Sequence, residues 1–262
     1  MPINLHAKLI RKEKLKDDIY KFSVDAKQIA KNTKPGNFIE IRVTDNTEPF
    51  LRRPISVYNV DKEKGILEFI FQVKGKGTEI LSKKVEGELI DIIGPLGYGT
   101  FKYENYKKIA IIGGGIGIFP LYELAKNAIK SSNVNTYLGF RTKDLVVLEN
   151  EFKNVSNKLT ITTDDGSYKI KGFAINELKK DIGKEGIDCI FACGPLPMLK
   201  AVREYAIEKD IPCQISLEEK MGCGIGACLG CAVKTAKSTK ETPEYWHVCK
   251  AGPVFQAKDV EI

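Results

Sequence analysis

The chain has 262 residues, with 41 Lys and Arg against 34 Asp and Glu and a formal net charge of +7, a length that predicts about two or three folded units. It shows no apolar run of the roughly 20 residues that span a membrane and no charged-then-apolar leader, so it reads as a soluble, cytoplasmic protein without a membrane partner. Its positive charge is dispersed, with no basic block interleaved with aromatics, which argues against nucleic acid and for phosphate-bearing cofactors or an acidic partner surface.

Residues 1–100 read as short strands at Leu5–Arg11, Ile19–Val24, Phe38–Val43, Ile55–Val60, Leu67–Val73 and Glu88–Ile92. Even spacing and few helical windows predict a small, closed antiparallel β-barrel. Within it stands Arg52-Arg53-Pro54-Ile55-Ser56. A guanidinium can fork two donors onto a phosphate and the serine adds a hydroxyl, although alone the segment equally describes an edge strand with solvated arginines. Gly75-Lys76-Gly77-Thr78 then opens a helix expected over Thr78–Lys84. Free N–H groups at such a start attract anions, and the two features together fit a pyrophosphate. Gly94-Pro95-Leu96-Gly97-Tyr98-Gly99 reads as an irregular linker out of the barrel.

Residues 101–215 read as an α/β domain. Lys108–Ile112 is an apolar strand running into Gly113-Gly114-Gly115-Ile116-Gly117, and Leu121, Leu124, Ala125, Ala128 and Ile129 give helical spacing over Pro120–Lys130. Strand–helix alternation continues through Thr136–Phe140, Asp144–Phe152, Leu159–Thr163, Ala174–Lys180, Cys189–Ala192, Pro197–Lys209 and Gln214–Leu217. That is the pattern of a parallel sheet covered by helices. The glycine loop is not the dinucleotide fingerprint, because its third glycine is missing and no acidic residue follows about twenty positions on. Cys193-Gly194-Pro195 ends a later strand at the same carboxyl edge. Two such loops on one edge point to a nicotinamide nucleotide. Arg141, past the second strand, is a candidate for a 2′-phosphate, so NAD and NADP both stay open on the residues alone.

Residues 216–262 form a small cysteine-rich subdomain. Cys223, Cys228 and Cys231 stand in a C-x4-C-x2-C array and Cys249 completes four thiols. This is the plant-type spacing for a [2Fe–2S] cluster, whereas structural zinc more often pairs its ligands as two C-x2-C knuckles. His247 is an alternative ligand that four cysteines make unnecessary, Tyr245 and Trp246 read as packing around the cysteine loop, and Cys189 and Cys213 read as small core residues.

These pieces resemble the ferredoxin–NADP reductase superfamily: an R-x-[YFI]-[ST] motif at Arg53-Pro54-Ile55-Ser56, a GGGxG loop at Gly113–Gly117 and a C-G-P strand end at Cys193–Pro195. With the cysteine segment S-L-E-E-K-M-G-C-G-I-G-A-C-L-G-C following, the chain is similar to the electron-transfer subunits of class 1B dihydroorotate dehydrogenases. The resemblance implies FAD held by Arg53, Pro54, Ile55 and Ser56, lined by Ile70, Phe71 and Gln72 and bound at its pyrophosphate by Gly77 and Thr78. It implies NAD at Gly113, Gly114, Gly115, Gly117, Cys193, Gly194 and Pro195, and a [2Fe–2S] cluster on the four cysteines. It further implies an FMN-containing catalytic partner in a heterotetramer of two copies each and an oxidoreductase role in pyrimidine biosynthesis. The residues themselves show no Ser/His/Asp constellation, so no catalytic side chain is expected. Ile55 stands where many members carry tyrosine, which removes a flavin-stacking surface. The alternative is the flavin/iron–sulfur subunit of another NAD(P)H-dependent ferredoxin or sulfide oxidoreductase.

Overall fold

The alternation in Phe38–Arg42 explains the first unit. Ile39 and Ile41 enter an apolar core, while Phe38 and Glu40 lie on the strand's opposite face and are buried as well. The computed structural model describes residues 2–262, the side chains of residues 184 and 185 excepted. Strands β1 (Ile3–Lys16), β2 (Ile19–Asp25), β3 (Phe38–Arg42), β4 (Arg53–Asp61), β5 (Ile66–Gln72) and β6 (Leu89–Leu96) close into an antiparallel barrel in the order β1-β2-β5-β4-β3-β6. Closure leaves no free sheet edge. Phe22, Phe69 and Phe71 fill the interior, with Phe22 and Phe71 edge-to-face at 5.1 Å. Two short helices, α1 (Lys27–Asn32) and α2 (Lys76–Ser82), add Ile29, Ala30 and Leu81 to that core.

Two details differ from the sequence expectation. Helix α1 has six residues, too few for a helical period to register. Strand β6 runs on through Gly94 and Pro95, pairing Leu96 with Phe38, so the linker begins later than its glycines and proline indicate.

The second unit is a sheet of β7 (Lys108–Gly114), β8 (Asn133–Phe140), β9 (Lys158–Thr163), β10 (Ile170–Lys171), β11 (Cys189–Cys193) and β12 (Cys213–Ser216), interleaved with α3 (Phe119–Ala128), α4 (Glu149–Asn154), α5 (Ala174–Glu185) and α6 (Leu196–Glu208). After a hairpin of β13 (Ala232–Lys234) and β14 (Tyr245–His247), β15 (Val254–Gln256) completes the order β10-β9-β8-β7-β11-β12-β15. The first six strands pair in parallel, and β15 joins β12 antiparallel. Ile109, Ala110, Ile111 and Ile112 of β7 are fully buried, as suits a central strand covered on both faces. The expected helix over Asp144–Phe152 is instead a 3₁₀ turn at Lys143–Leu145 followed by α4.

By contacts, the first unit is Met1–Thr100 with Glu218–Ala232 and His247–Pro253, and the second is Phe101–Leu217 with Val233–Trp246 and Val254–Ile262. The cysteine loop therefore shares a compact unit with the barrel. Among the described residues no helix is long and apolar enough to cross a membrane.

Candidate functional site

The cysteine loop turns on itself so that backbone N–H groups meet sulfur. The Sγ of Cys223 accepts hydrogen bonds from Ala227 N–H (3.3 Å) and Cys228 N–H (3.4 Å), and Cys249 N–H reaches the Sγ of Cys231 at 3.4 Å. Burial opposes ionisation of Cys223, but the N–H groups of Cys228, Ile225 and Ala227 and the Cys228 thiol outweigh it and pull the thiol down to about 6. Burial and the neighbouring Cys231 thiol push Cys249 up to about 12, with the charge of Cys223 adding to the effect.

These hydrogen bonds link the four cysteines as two pairs, Cys223 with Cys228 and Cys231 with Cys249. Among the described residues no group of three or more His, Cys, Asp or Glu side chains is placed to hold a metal ion. A tetrahedral zinc centre needs four ligands converging on one ion, whereas a two-iron cluster takes its thiolates two per iron. The paired thiols fit the two-iron centre. Cys228 is exposed and Cys223 half-buried while Cys231 and Cys249 are buried, so the site opens to solvent on one side.

His247 contributes its carbonyl, which accepts the N–H groups of Lys250 (2.9 Å) and Ala251 (2.8 Å) in the turn carrying Cys249. Trp246 stacks on Phe255 of β15 at 5.9 Å. Cys189 and Cys213 are buried strand residues whose thiols are pushed far up by desolvation, Cys189 to about 12.

A residue that the sequence reading passed over faces this loop. Glu40 is 1% exposed, and neither carboxylate oxygen has a hydrogen-bond partner. A Cβ on Gly224 would sit 2.5 Å from its Cγ and Oε1. Burial raises its carboxyl to about 7; the charge of Arg52 opposes that rise, that of Cys223 adds to it and that of Arg53 opposes it. Alternation marks position 40 as the outward face of a barrel strand, where a glutamate passes for solvated. Here a loop from beyond residue 220 packs on it.

The expected flavin residues fall on three elements of the barrel unit, β4, β5 and α2. Arg53, Pro54, Ile55 and Ser56 are half-buried along β4. The Arg53 guanidinium lies directly on Gly77 of α2, where any Cβ would overlap it, and it donates to the carbonyls of Leu51 and Arg52. The arginine and the helix start, separate in sequence, are therefore adjacent in space, which is what a pyrophosphate cradle requires. The adjacent Arg52 is committed elsewhere, paired with Asp91 at 2.8 Å. Thr78 Oγ1 accepts the N–H groups of Lys74 (2.9 Å) and Gly75 (3.2 Å) and donates to the Gly75 carbonyl, so its hydroxyl caps its own turn. On β5 the side chain of Phe71 packs in the barrel core, Ile70 is buried, and Gln72 donates to Asp18 at 2.6 Å. Ile55 leans on the same core.

In the second unit the two glycine-bearing loops meet. Cys193 pairs with Gly113 across β11 and β7. A Cβ on Gly117 would lie 2.5 Å from Gly194 Cα, and one on Gly114 would lie 2.7 Å from Pro195 Cδ. Gly114 and Gly117 thus let the loops pack on each other, and Gly113 lets Ile118 and Leu121 approach. Gly115 differs: its φ is +54° and no heavy atom lies within 4 Å of its Cβ position. Cys193 is buried, while Gly194 is half-buried and Pro195 exposed. This open edge, at the carboxyl ends of β7 and β11, is where parallel sheets take nucleotides.

Comparison with known proteins agrees with this geometry. The family model for the oxidoreductase FAD-binding domain matches residues 6–103 and that for the oxidoreductase NAD-binding domain matches 111–204. The iron–sulfur cluster binding domain of dihydroorotate dehydrogenase B matches residues 218–261. The chain is 38% identical over 255 residues to the dihydroorotate dehydrogenase B (NAD(+)) electron transfer subunit of Geobacillus sp. (strain WCH70), covering 96% of each chain. The chain belongs to this family. The subunit of the same name from Caldanaerobacter subterraneus is 38% identical over 256 residues, with 98% of each chain covered. Among solved structures, an NADH-dependent reduced ferredoxin–NADP oxidoreductase studied for flavin-based electron bifurcation superposes with a TM-score of 0.85 at 33% identity, over 98% of this chain and 90% of that one. The ferredoxin reductase of carbazole 1,9a-dioxygenase shares the fold, with a TM-score of 0.67 at 22% identity over 80% of this chain and 67% of that one.

Proposed function

We propose that this chain is the electron-transfer subunit of an NAD-dependent dihydroorotate dehydrogenase. It relays electrons from the FMN of a catalytic partner through a [2Fe–2S] centre and FAD to NAD+, in the oxidative step of pyrimidine biosynthesis. The observation that carries this reading is the hydrogen-bonded pairing of four cysteines in one compact unit with an FAD-type barrel, in a chain whose likeness to its family covers 96% of its length. When bound, FAD supplies exchange between two-electron and one-electron transfer, and the cluster supplies the one-electron relay.

The chain's own residues do the holding and placing. Cys223, Cys228, Cys231 and Cys249 ligate the cluster, and the Ala227, Cys228 and Cys249 N–H groups donate to its ligand sulfurs. Such donors stabilise charge on sulfur and help set a cluster's potential. Arg53 and the Gly77 end of α2 would hold the FAD pyrophosphate, and the half-buried residues Arg53 to Ser56 of β4 would line the site. The Gly115 edge with Cys193, Gly194 and Pro195 receives the nicotinamide nucleotide. No side chain is needed as nucleophile or general base.

Asp164 and Asp165 follow β9 next to the end of β8, and hydrogen bonds from Ser167 hold Asp165 below the ordinary carboxylate range. Negative charge there disfavours a 2′-phosphate and supports NAD over NADP. We place the protein in the cytoplasm, in a heterotetramer of two copies of each subunit.

A second reading rests on the TM-score of 0.85 with the NADH-dependent ferredoxin–NADP oxidoreductase: a flavin/iron–sulfur subunit of that kind of enzyme. Co-expression and purification separate the two. An FMN-bearing partner, iron with acid-labile sulfide, and dihydroorotate-dependent NAD+ reduction are the expected result. A larger partner with two flavins of its own supports the second reading, and anaerobic protein without iron or labile sulfide after reconstitution overturns both.

A further inference from the structure

Among the described residues Glu40 is the carboxylate with both oxygens buried and neither hydrogen-bonded. The fold gives no reason for it. Ile39 and Ile41 on either side supply the barrel core, and β3 pairs through its backbone with β4 and β6 whatever side chain stands at position 40. An apolar side chain of the same length would fill the space without the desolvation that a carboxyl suffers there. A buried polar group left unpaired in a native fold calls for an explanation, and a redox role is one of the few available.

What Glu40 faces supplies that explanation. Its carboxyl packs on Gly224, the residue immediately after the cluster ligand Cys223, closely enough that a Cβ there would collide with it. Gly224 has φ +68°, so the loop both turns and approaches the carboxyl at this one residue. The charges that act on Glu40 are the guanidinium groups of Arg52 and Arg53 and the Cys223 thiolate. Arg52 is tied to Asp91, and Arg53 is the proposed FAD anchor. Glu40 therefore lies against the cysteine loop at the residue next to Cys223, within reach of the charges of Arg52, Arg53 and Cys223.

We propose that Glu40 is a positioning residue for the iron–sulfur centre: its carboxylate sets a negative charge beside Cys223 and lowers the centre's reduction potential. Adding an electron to a centre ringed by thiolates is harder next to another negative charge, and the effect is large where water is excluded. A lower potential favours passing the electron onward to the flavin over retaining it. The inference rests on the function proposed above.

The test is a redox titration of the cluster, followed by electron paramagnetic resonance, in the assembled complex at one mildly alkaline pH. Glu40→Gln keeps the shape and removes the charge; Glu40→Met removes the charge and the polar group. Both are expected to retain iron, sulfide and FAD at wild-type stoichiometry and to shift the midpoint to more positive potential, and the Met variant should melt no lower than wild type. Fully loaded variants titrating at the wild-type midpoint overturn the proposal. Loss of the cluster from both variants overturns it too, by making Glu40 a structural support of the loop. Wild-type complex without a cluster would instead refute the functional reading, so the two failures are distinguishable.

Discussion

The chain carries two glycine-rich loops, and they use glycine for different ends. In the cysteine loop Gly224 and Gly226 adopt positive φ and bend the chain so tightly that Ile225 and Leu229 are left exposed. There the backbone conformation serves four side-chain sulfurs, which carry the chemistry. In the loop after β7, Gly114 and Gly117 are glycines because the Cys193–Pro195 segment lies against them. There the backbone itself is the surface offered to a ligand, at Gly115. Where side chains do the chemistry, spacing in the sequence identifies it. Where backbone does, the same glycines describe any tight strand-to-helix turn.

The largest expected effect breaks the first loop. Cys228→Ser removes the exposed ligand, and dihydroorotate-dependent NAD+ reduction by the complex should fall to background. FAD, held on the barrel, should stay bound, so NADH oxidation by an artificial acceptor should persist in the same preparation. Survival of the dihydroorotate-linked activity would take the cluster off the electron route.

Next in size is the contrast between adjacent arginines on the barrel. Arg53→Ala should weaken FAD binding by about 1.5–3 kcal/mol, roughly 10- to 100-fold, as charged hydrogen bonds to a phosphate do. Flavin retained on gel filtration reads this directly, and wild-type stoichiometry would remove Arg53 from the site. Arg52→Ala should spare flavin affinity and instead lower stability by about 1–3 kcal/mol, because Asp91 loses its partner. Chemical denaturation separates the two outcomes.

These contrasts show what the sequence could and could not tell. Six strands were legible because apolar alternation and turn residues repeat through the first 100 residues. The parallel sheet was legible because β11 is apolar throughout and β7 is apolar after Lys108. Strand β15, three residues long, pairs antiparallel with β12 some forty positions earlier, and no local pattern announces such a contact. The split of residues after 217 between two compact units is invisible for the same reason. At the site, cysteine spacing marked the ligand set. The commitment of Arg52 to Asp91, the capping duty of the Thr78 hydroxyl and the burial of Glu40 all depend on partners from other elements.

A finer test sharpens the two roles of glycine within the β7 loop. Gly117→Ala places a methyl against Gly194 and should cost about 1–3 kcal/mol of stability through overpacking. Gly115→Ala meets no neighbour and should cost only about 1–2 kcal/mol for its left-handed conformation. If Gly115 is the ligand-facing position, its variant should nevertheless show the greater rise in KM for NADH. A greater KM effect at Gly117, with the protein folded at the assay temperature, would move the nucleotide to the packed side of the loop.

The smallest expected effect concerns Arg141, the candidate for a 2′-phosphate. It lies exposed just past β8, with the acidic pair Asp164 and Asp165 on the neighbouring strand's exit. An exposed cation beside two carboxylates offers little net attraction to a phosphate and contributes about 0–1 kcal/mol to any one contact. Arg141→Ala should therefore change KM for NADH less than about fivefold, the kinetic equivalent of that range. The sharper arm is the double substitution Asp164→Asn with Asp165→Asn, which removes the repulsion and leaves the arginine. It should lower KM for NADPH while leaving that for NADH nearly unchanged. If KM for NADPH does not move, discrimination against the phosphate lies elsewhere on the β7–β11 edge, and the acidic pair does no more than hold its own turn through Ser167.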